Sequence, residues 1–263
     1  MRIEHIYRYP VKGLSREALE ETFVKPACAI PWDRAFALAH GDAPFDPANP
    51  AFLPKYNFMC LLRHASIAPL RARFDPHDRV LTIVSPDGAS VSENPLSEDG
   101  RRHIGAWLTD YLGSQARGTP VFHHVPGHVF GDQRVPVLSL VSYTTLAAFA
   151  TDTVLNANTG VNAGMGVNQD KRRYRANVYF TGAPAWAEFG WVGRRLQLGQ
   201  AILRVTKRTV RCAATEVNPD TGERDANLMR DLKFNYGHTD LGIHAEVLEG
   251  GRIAAGDAIE LLN

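Results

Sequence analysis

Short apolar runs broken by scattered turn residues set the strongest limit on what this chain can fold into. Gly and Pro occur 22 and 16 times, spread as punctuation without repeats or low-complexity tracts, which cuts the sequence into strand-length pieces. Phe36 to Ala39 and Val80 to Val84 are two such pieces. Pro86-Asp87-Gly88 follows the second as a type I or II turn and the chain returns through Val91, a hairpin pattern. After Ser97 the period changes. Ile104, Trp107, Leu108, Tyr111 and Leu112 fall at i, i+3, i+4, i+7 and i+8, so a helix is expected with Ser97 as its N-cap and Gly113 as its stop.

The second half repeats the mixture. Ser142 to Ala150 predicts a short helix with Leu146, Phe149 and Ala150 inward, and Leu228, Met229 and Leu232 predict one or two turns after Asp225. Val178 and Phe180 alternate with Asn177 and Tyr179 as in a strand, and Ile202 to Thr206 reads as another. The tail from Ile243 to Leu262 carries Gly250-Gly251 and Gly256-Asp257 at hairpin positions. Together these predict an α+β, β-rich, barrel-like fold with a few short helices. No strand is followed by GxGxxG or a P-loop, which disfavours the usual dinucleotide and nucleoside triphosphate sites.

A chain of 263 residues corresponds to one large or two modest domains, at roughly 150 residues each. The polar joint from Gln115 to Pro120 suggests a boundary near residue 120, dividing the chain into 1–120 and 121–263. Lys plus Arg number 29 and Asp plus Glu 28, a formal charge of +1, so no global attraction to nucleic acid or anionic lipid is expected. The start of the chain lacks an apolar signal region, and no stretch reaches the roughly 18 continuous apolar residues of a membrane span. Cys28, Cys60 and Cys212 form no CxxC pair, zinc spacing or disulfide framework, which suits a reducing compartment and a cytoplasmic location.

The near-neutral total hides a local asymmetry. Residues 171–211 hold ten basic side chains and one acid, Glu188. Arginines converging from neighbouring strands make an anion pocket, whereas the same residues spread outward are only a solvated face. Cys212 ends this segment, and basic neighbours favour the thiolate form that serves as nucleophile and soft metal ligand. Cys28 and Cys60, beside apolar neighbours, read as buried and inert. The polar turn Glu216 to Gly222 would hold the end of a Cys-bearing strand in place. His123 and His124 are adjacent on a strand and so point to opposite faces; with His103 and His128 they read as surface residues rather than a metal site.

Four stretches in order carry a resemblance: Tyr9-Pro10-Val11-Lys12-Gly13-Leu14-Ser15, Trp32-Asp33-Arg34-Ala35-Phe36, Tyr174-Arg175-Ala176-Asn177-Val178, and Arg211-Cys212 through Asn218-Pro219-Asp220-Thr221-Gly222, with Gly256-Asp257 at the close. They resemble MOSC-domain proteins over essentially the whole chain, in the two-part form of the mitochondrial amidoxime-reducing component and its bacterial relatives. The resemblance implies a MOSC β-barrel preceded by a smaller N-terminal β/α region, and a bound molybdenum cofactor. It implies that Cys212 is the molybdenum ligand and the catalytic residue. Lys12, Arg34, Arg175 and Asn177 would surround the pterin phosphate, with Ser142, Ser15 and Arg211 as further contacts. The chain departs from the pattern at Gly13, where many relatives have Ser, and at Ala176, where Pro is usual.

The implied activity is reduction of N-hydroxylated small molecules, amidoximes or hydroxylamines. Three scattered cysteines cannot hold an iron–sulfur cluster, so electrons would come from a separate donor protein. Neither nucleic acid nor membrane is an expected partner. The pyridoxal-phosphate part that accompanies the MOSC unit in cofactor sulfurases has no counterpart in these residues. The alternative is a non-enzymatic carrier of the cofactor, or of sulfur as a persulfide on Cys212; a nucleic-acid groove along 171–211 is a weaker one, since it lacks interleaved aromatics.

Overall fold

The computed structural model describes residues 1–156 and 170–262. In chain order the regular elements are β1 (Arg2–Arg8), β2 (Glu17–Leu19), β3 (Glu21–Val24), β4 (Phe36–Ala39), β5 (Arg71–Asp75), β6 (Val80–Val84) and β7 (Ser90–Glu93), then α1 (Glu98–Leu112) and β8 (Val121–His124). They continue as β9 (Leu138–Ser142), α2 (Tyr143–Asn156), β10 (Val178–Thr181), β11 (Arg195–Leu198), β12 (Ala201–Val210), α3 (Leu228–Tyr236), β13 (Asp240–Glu249), β14 (Gly251–Ala254) and β15 (Ile259–Leu262). The fold is α+β and β-rich, as the sequence predicts.

An eight-stranded sheet in the order β15-β11-β12-β13-β9-β10-β1-β2 curls into a half-barrel. Only β9 and β10 run parallel, with α2 between them in sequence. Period-two burial makes β9 and β10 serve two cores, and a register shift against β12 does the same for β13. Leu140, Val178, Phe180, Leu203 and Ile243 face one, whereas Val141, Tyr179 and Leu241 face the other, beneath α2 and α3. A bulge between Ile3 and His5 keeps Ile3 and Ile6 on the same core face although they are three positions apart. Strands from both sides of the residue-120 joint share structure: β1 and β2 belong to the large sheet, β3 pairs with β14, and β4 pairs with β8.

The N-terminal region adds the β5-β6-β7 meander and α1 around its own core. Ser97 accepts from the Gly100 amide as N-cap, and Gly113 ends the helix with positive φ. His123 and His124 do point apart, but neither is simply at the surface: the first packs on Phe45 and the second on Phe36. No helix among the described residues is long and apolar enough to cross a membrane.

The glycine pairs of the tail do not close hairpins. β14 leaves β13 to pair with β3, and β15 pairs with β11. A side chain at Gly250 would meet the Val24 carbonyl oxygen at 2.7 Å, and one at Gly251 the Gln200 backbone at 2.6 Å. These glycines therefore allow one strand to cross closely over others, a role that turn statistics do not distinguish from a hairpin.

Gly242 bears directly on the site described below. It has φ +78°, and a Cβ there would lie 2.5 Å from the Leu140 carbonyl oxygen and 3.2 Å from Arg211 Nη2. Gly242→Ala should destabilise the fold by about 3 kcal/mol, combining a left-handed backbone with overpacking. The midpoint of chemical denaturation measures this, and an unchanged midpoint would refute the stated role.

Candidate functional site

The approach to the site begins where β12 ends. The Arg211 amide donates to the Thr239 carbonyl, and its buried guanidinium donates to the Leu241 carbonyl through Nε at 2.7 Å and to the Tyr174 carbonyl through Nη1 at 2.7 Å. Arg211 is thus tied up by backbone. Cys212 follows in extended conformation, and its carbonyl accepts from the Thr215 amide and hydroxyl, each at 3.0 Å, which starts a short 3₁₀ turn. The thiol is left part-exposed, 3.2 Å from Lys55 Nζ.

Cys212 opens on a cleft of about 710 Å³ lined also by Lys12, Arg34, Lys55, Arg175, Asn177 and Arg211. Buried Lys12 donates to the Phe130 carbonyl at 2.9 Å and to the Asp132 carboxylate at 2.5 Å. Asp132 also lies 3.8 Å from Lys55. Burial opposes the Asp132 charge, but Lys12 and Lys55 outweigh it and hold the carboxyl below its ordinary range. Burial likewise opposes the Lys55 charge, and Cys212 and Asp132 overcome it to raise the ammonium's pKa. An anion entering here competes with Asp132 for two ammonium groups.

Arg34 and Arg175 lie over the Tyr9 ring, each guanidinium carbon 4.4 Å from its centre. Arg34 is paired with Asp33 and donates to the Arg175 carbonyl at 3.0 Å; Arg175 donates to the Leu14 carbonyl at 2.7 Å. Both have positive φ, +49° and +51°, a costly state for non-glycine residues that persists where surrounding contacts enforce it. Burial, reinforced by the nearby Arg34 charge, pulls the Arg175 pKa down to about 10.

Three side chains of the cleft wall keep buried polar atoms without a partner among the described residues: Nε and Nη1 of Arg173, Oγ1 of Thr209 and Nδ1 of His244. Orphaned groups of this kind are costly unless something pairs with them. Beside them stand a thiol able to bind a soft metal and two lysines. That donor set fits an anionic group carrying a soft metal.

The structure gives two of the sequence-derived candidates other contacts. Ser15 lies outside the cleft, exchanging hydrogen bonds with the Ala72 backbone. Ser142 is fully buried at the end of β9, where its hydroxyl accepts from the Thr145 amide. Asn177 lines the cleft floor, yet its side chain already bonds Ser139 and the Tyr7 carbonyl, so it knits β9, β1 and the start of β10 together. Cys28, read as buried, is exposed, whereas Cys60 is buried and lines the cleft. Of the basic run, Arg173, Arg175 and Arg211 converge, while Arg195 and Arg204 pair with Glu249 and Glu246 on the outer face. Sequence reasoning missed Lys55, Asp132, Thr209 and His244. Lys55 meets Cys212 across 157 positions of chain, and no local pattern marks such a pair.

Burial and the positive charges of Arg211, Lys207 and Arg34 push the His244 pKa down to about 3. Its contribution to stability is complete above the ordinary histidine value of 6.5 and lost as the pH falls towards about 3. His244→Phe should therefore flatten the rise of unfolding free energy between about pH 4 and about pH 6.5. Urea titrations across that range test it, and parallel slopes for variant and parent would contradict it.

The MOSC domain family model matches residues 127–260, just over half the chain. Among solved structures, the YuaD protein from Bacillus subtilis is 13% identical with a TM-score of 0.40, covering 99% of this chain and 94% of its own. YiiM from Escherichia coli is 17% identical with a TM-score of 0.31 over 48% of this chain and 54% of that one. YiiM from Geobacillus stearothermophilus is 16% identical with a TM-score of 0.30 over the same shares. No curated protein matches the sequence. With Cys212, Arg211, Thr209 and His244 inside the matched span, the chain belongs to the MOSC family.

Proposed function

We propose that this protein is a molybdenum-cofactor-dependent oxidoreductase that reduces N-hydroxylated substrates, amidoximes or hydroxylamines, with electrons from a separate donor protein. The observation that carries this reading is the part-exposed Cys212 thiol facing a cleft whose wall holds unpaired Arg173, Thr209 and His244 atoms. MOSC domains are associated with molybdenum-cofactor binding, which supports the same choice. When bound, the cofactor supplies two-electron redox chemistry at its metal.

The chain's own residues would hold and orient that group. Cys212 Sγ is the protein ligand, with Lys55 Nζ at 3.2 Å balancing the thiolate charge. The Thr215 bonds to the Cys212 carbonyl fix the ligand's backbone. Arg173, Thr209 and protonated Nδ1 of neutral His244 offer donors to anionic oxygens, and Lys12, Arg34 and Arg175 supply the charge that a pterin phosphate needs. The net reaction adds two electrons and two protons to the N–O bond, giving the amidine or amine and water. In this reading residues 121–263 form the MOSC domain proper and residues 1–120 the N-terminal part that contributes Lys12, Arg34 and Lys55. A cytoplasmic setting would keep Cys212 a free thiol.

The test is elemental analysis and oxidised-pterin fluorescence of protein from a cofactor-competent host, followed by benzamidoxime turnover with an artificial electron donor. Cys212→Ala should lower molybdenum retention and turnover by about 100-fold or more, since it removes a direct ligand where outer partners alone account for about 10–100-fold. Full molybdenum content in the variant would sink the assignment. Bound cofactor without turnover in the parent would favour the carrier reading.

A further inference from the structure

A second, smaller pocket of about 170 Å³ adjoins the cleft and shares Leu61, Arg173, Arg175 and Ala214 with it. Residues from both halves of the chain line it, Tyr9, Arg16 and Arg71 from one and Arg172, Arg173 and Arg175 from the other. Five arginines therefore line one small space. Ser15 also lines it, and the rest of its wall is apolar, with Ala68, Val217 and Pro219.

Carboxylates on the page neutralise only part of this charge. Asp220 pairs with both Arg71 and Arg172, each at 2.7 Å, and Asp170 pairs again with Arg172. Asp225 holds Nη2 of Arg173, leaving that residue's Nε and Nη1 buried and unpaired. Arg16 stacks on Tyr7 with its guanidinium carbon 3.9 Å from the ring centre, and its Nη1 is buried without a partner among the described residues. Among the described residues neither Arg16 nor Arg175 has a carboxylate partner. Arg16, which has neither a carboxylate partner among the described residues nor a place in the cleft, offers its guanidinium fork at this pocket to a small planar or tetrahedral oxyanion, which satisfies two or more N–H groups at once.

We infer that this arginine pocket is an oxyanion-binding subsite that takes a carboxylate or phosphate group carried by the substrate, beside the cleft where the substrate's reducible end lies. The anion-binding part stands on the pocket alone; the link to a substrate rests on the function proposed above. Arg16 is the discriminating residue because it lines the small pocket and not the cleft.

Isothermal titration of the full-length, cofactor-loaded protein with inorganic phosphate, and separately with benzoate, tests the subsite. Saturable binding of one or both is expected, and the stronger of the two identifies the oxyanion. Arg16→Gln should weaken it about 10-fold or more, the loss expected for a charge-assisted contact, with molybdenum content and unfolding midpoint unchanged. Arg16→Lys, which keeps charge but loses the fork, should fall between. Absence of saturable binding by either probe overturns the inference, as does equal binding by Arg16→Gln and parent. Loss of molybdenum in Arg16→Gln also overturns it, because the pocket would then belong to the cofactor. Protein that never acquires molybdenum would defeat the proposed function, yet the same titrations would still decide whether the pocket binds oxyanions.

Discussion

The buried guanidinium of Arg211 is the constraint on which the site rests. It bridges the carbonyls of Leu241 and Tyr174, so the end of β12, the start of β13 and the segment leading into β10 share one anchor. Hydrogen bonds from a charged donor are worth about 1.5–3 kcal/mol each, and here they offset the burial of a cation that has no carboxylate partner among the described residues. Burial accordingly pulls the Arg211 pKa down. Because the anchor uses carbonyls and no acid, the charge remains electrostatically uncompensated at the cleft edge. Cys212, one residue on, is fixed in the field of the residue that positions it.

That field is local. The whole chain has a formal charge of +1, yet cations from distant parts of the sequence meet around the cleft while their counter-charges are rationed. Asp132 serves Lys12 and Lys55, Asp33 serves Arg34, and Asp220 serves Arg71 and Arg172. Elsewhere the ratio is ordinary, as in the Arg195–Glu249 and Arg204–Glu246 pairs across the outer face of the sheet. Exposed pairs of that kind contribute little. The same run of basic residues is therefore a solvated face at one end of β12 and part of an arginine-lined cleft at the other.

What the sequence reveals depends on how local the physics is. Helix α1 was legible because its cap, period and stop all lie within 17 positions of chain, Ser97 to Gly113. The β6–β7 hairpin was legible for the same reason. The tail glycines were misread because their need arises from strands crossing through space, with Val24 and Gln200 as the obstructing backbone. Cys212, Lys12, Arg34 and Arg175 could be named from motif resemblance, and they do share one cleft. Ser15 and Ser142 carry the same kind of hydroxyl, but nothing in the sequence shows that one lines the smaller pocket while bonded to Ala72 and the other is buried against the Thr145 amide. Lys55, Thr209 and His244 belong to no recognised motif; the packing of the N-terminal region against the half-barrel brings Lys55 to the thiol, and the pairing of β12 with β13 brings His244 to the end of the strand that carries Thr209.

Tyr9 shows why cleft and small pocket behave as one unit. Its amide donates to Asp33 at 2.8 Å and its hydroxyl to the Ala176 carbonyl at 3.2 Å, so the ring is fixed at both ends. Arg34 of the cleft and Arg175 of both spaces are held over that ring, and each has a left-handed backbone that the contacts enforce. Displacing either guanidinium would strip the π face of a partner and release backbone strain in the segment that carries Asp33 or Asn177. An anion arriving in one space thus meets arginines whose positions are already set by the wall of the other, and little reorganisation is left for binding to drive.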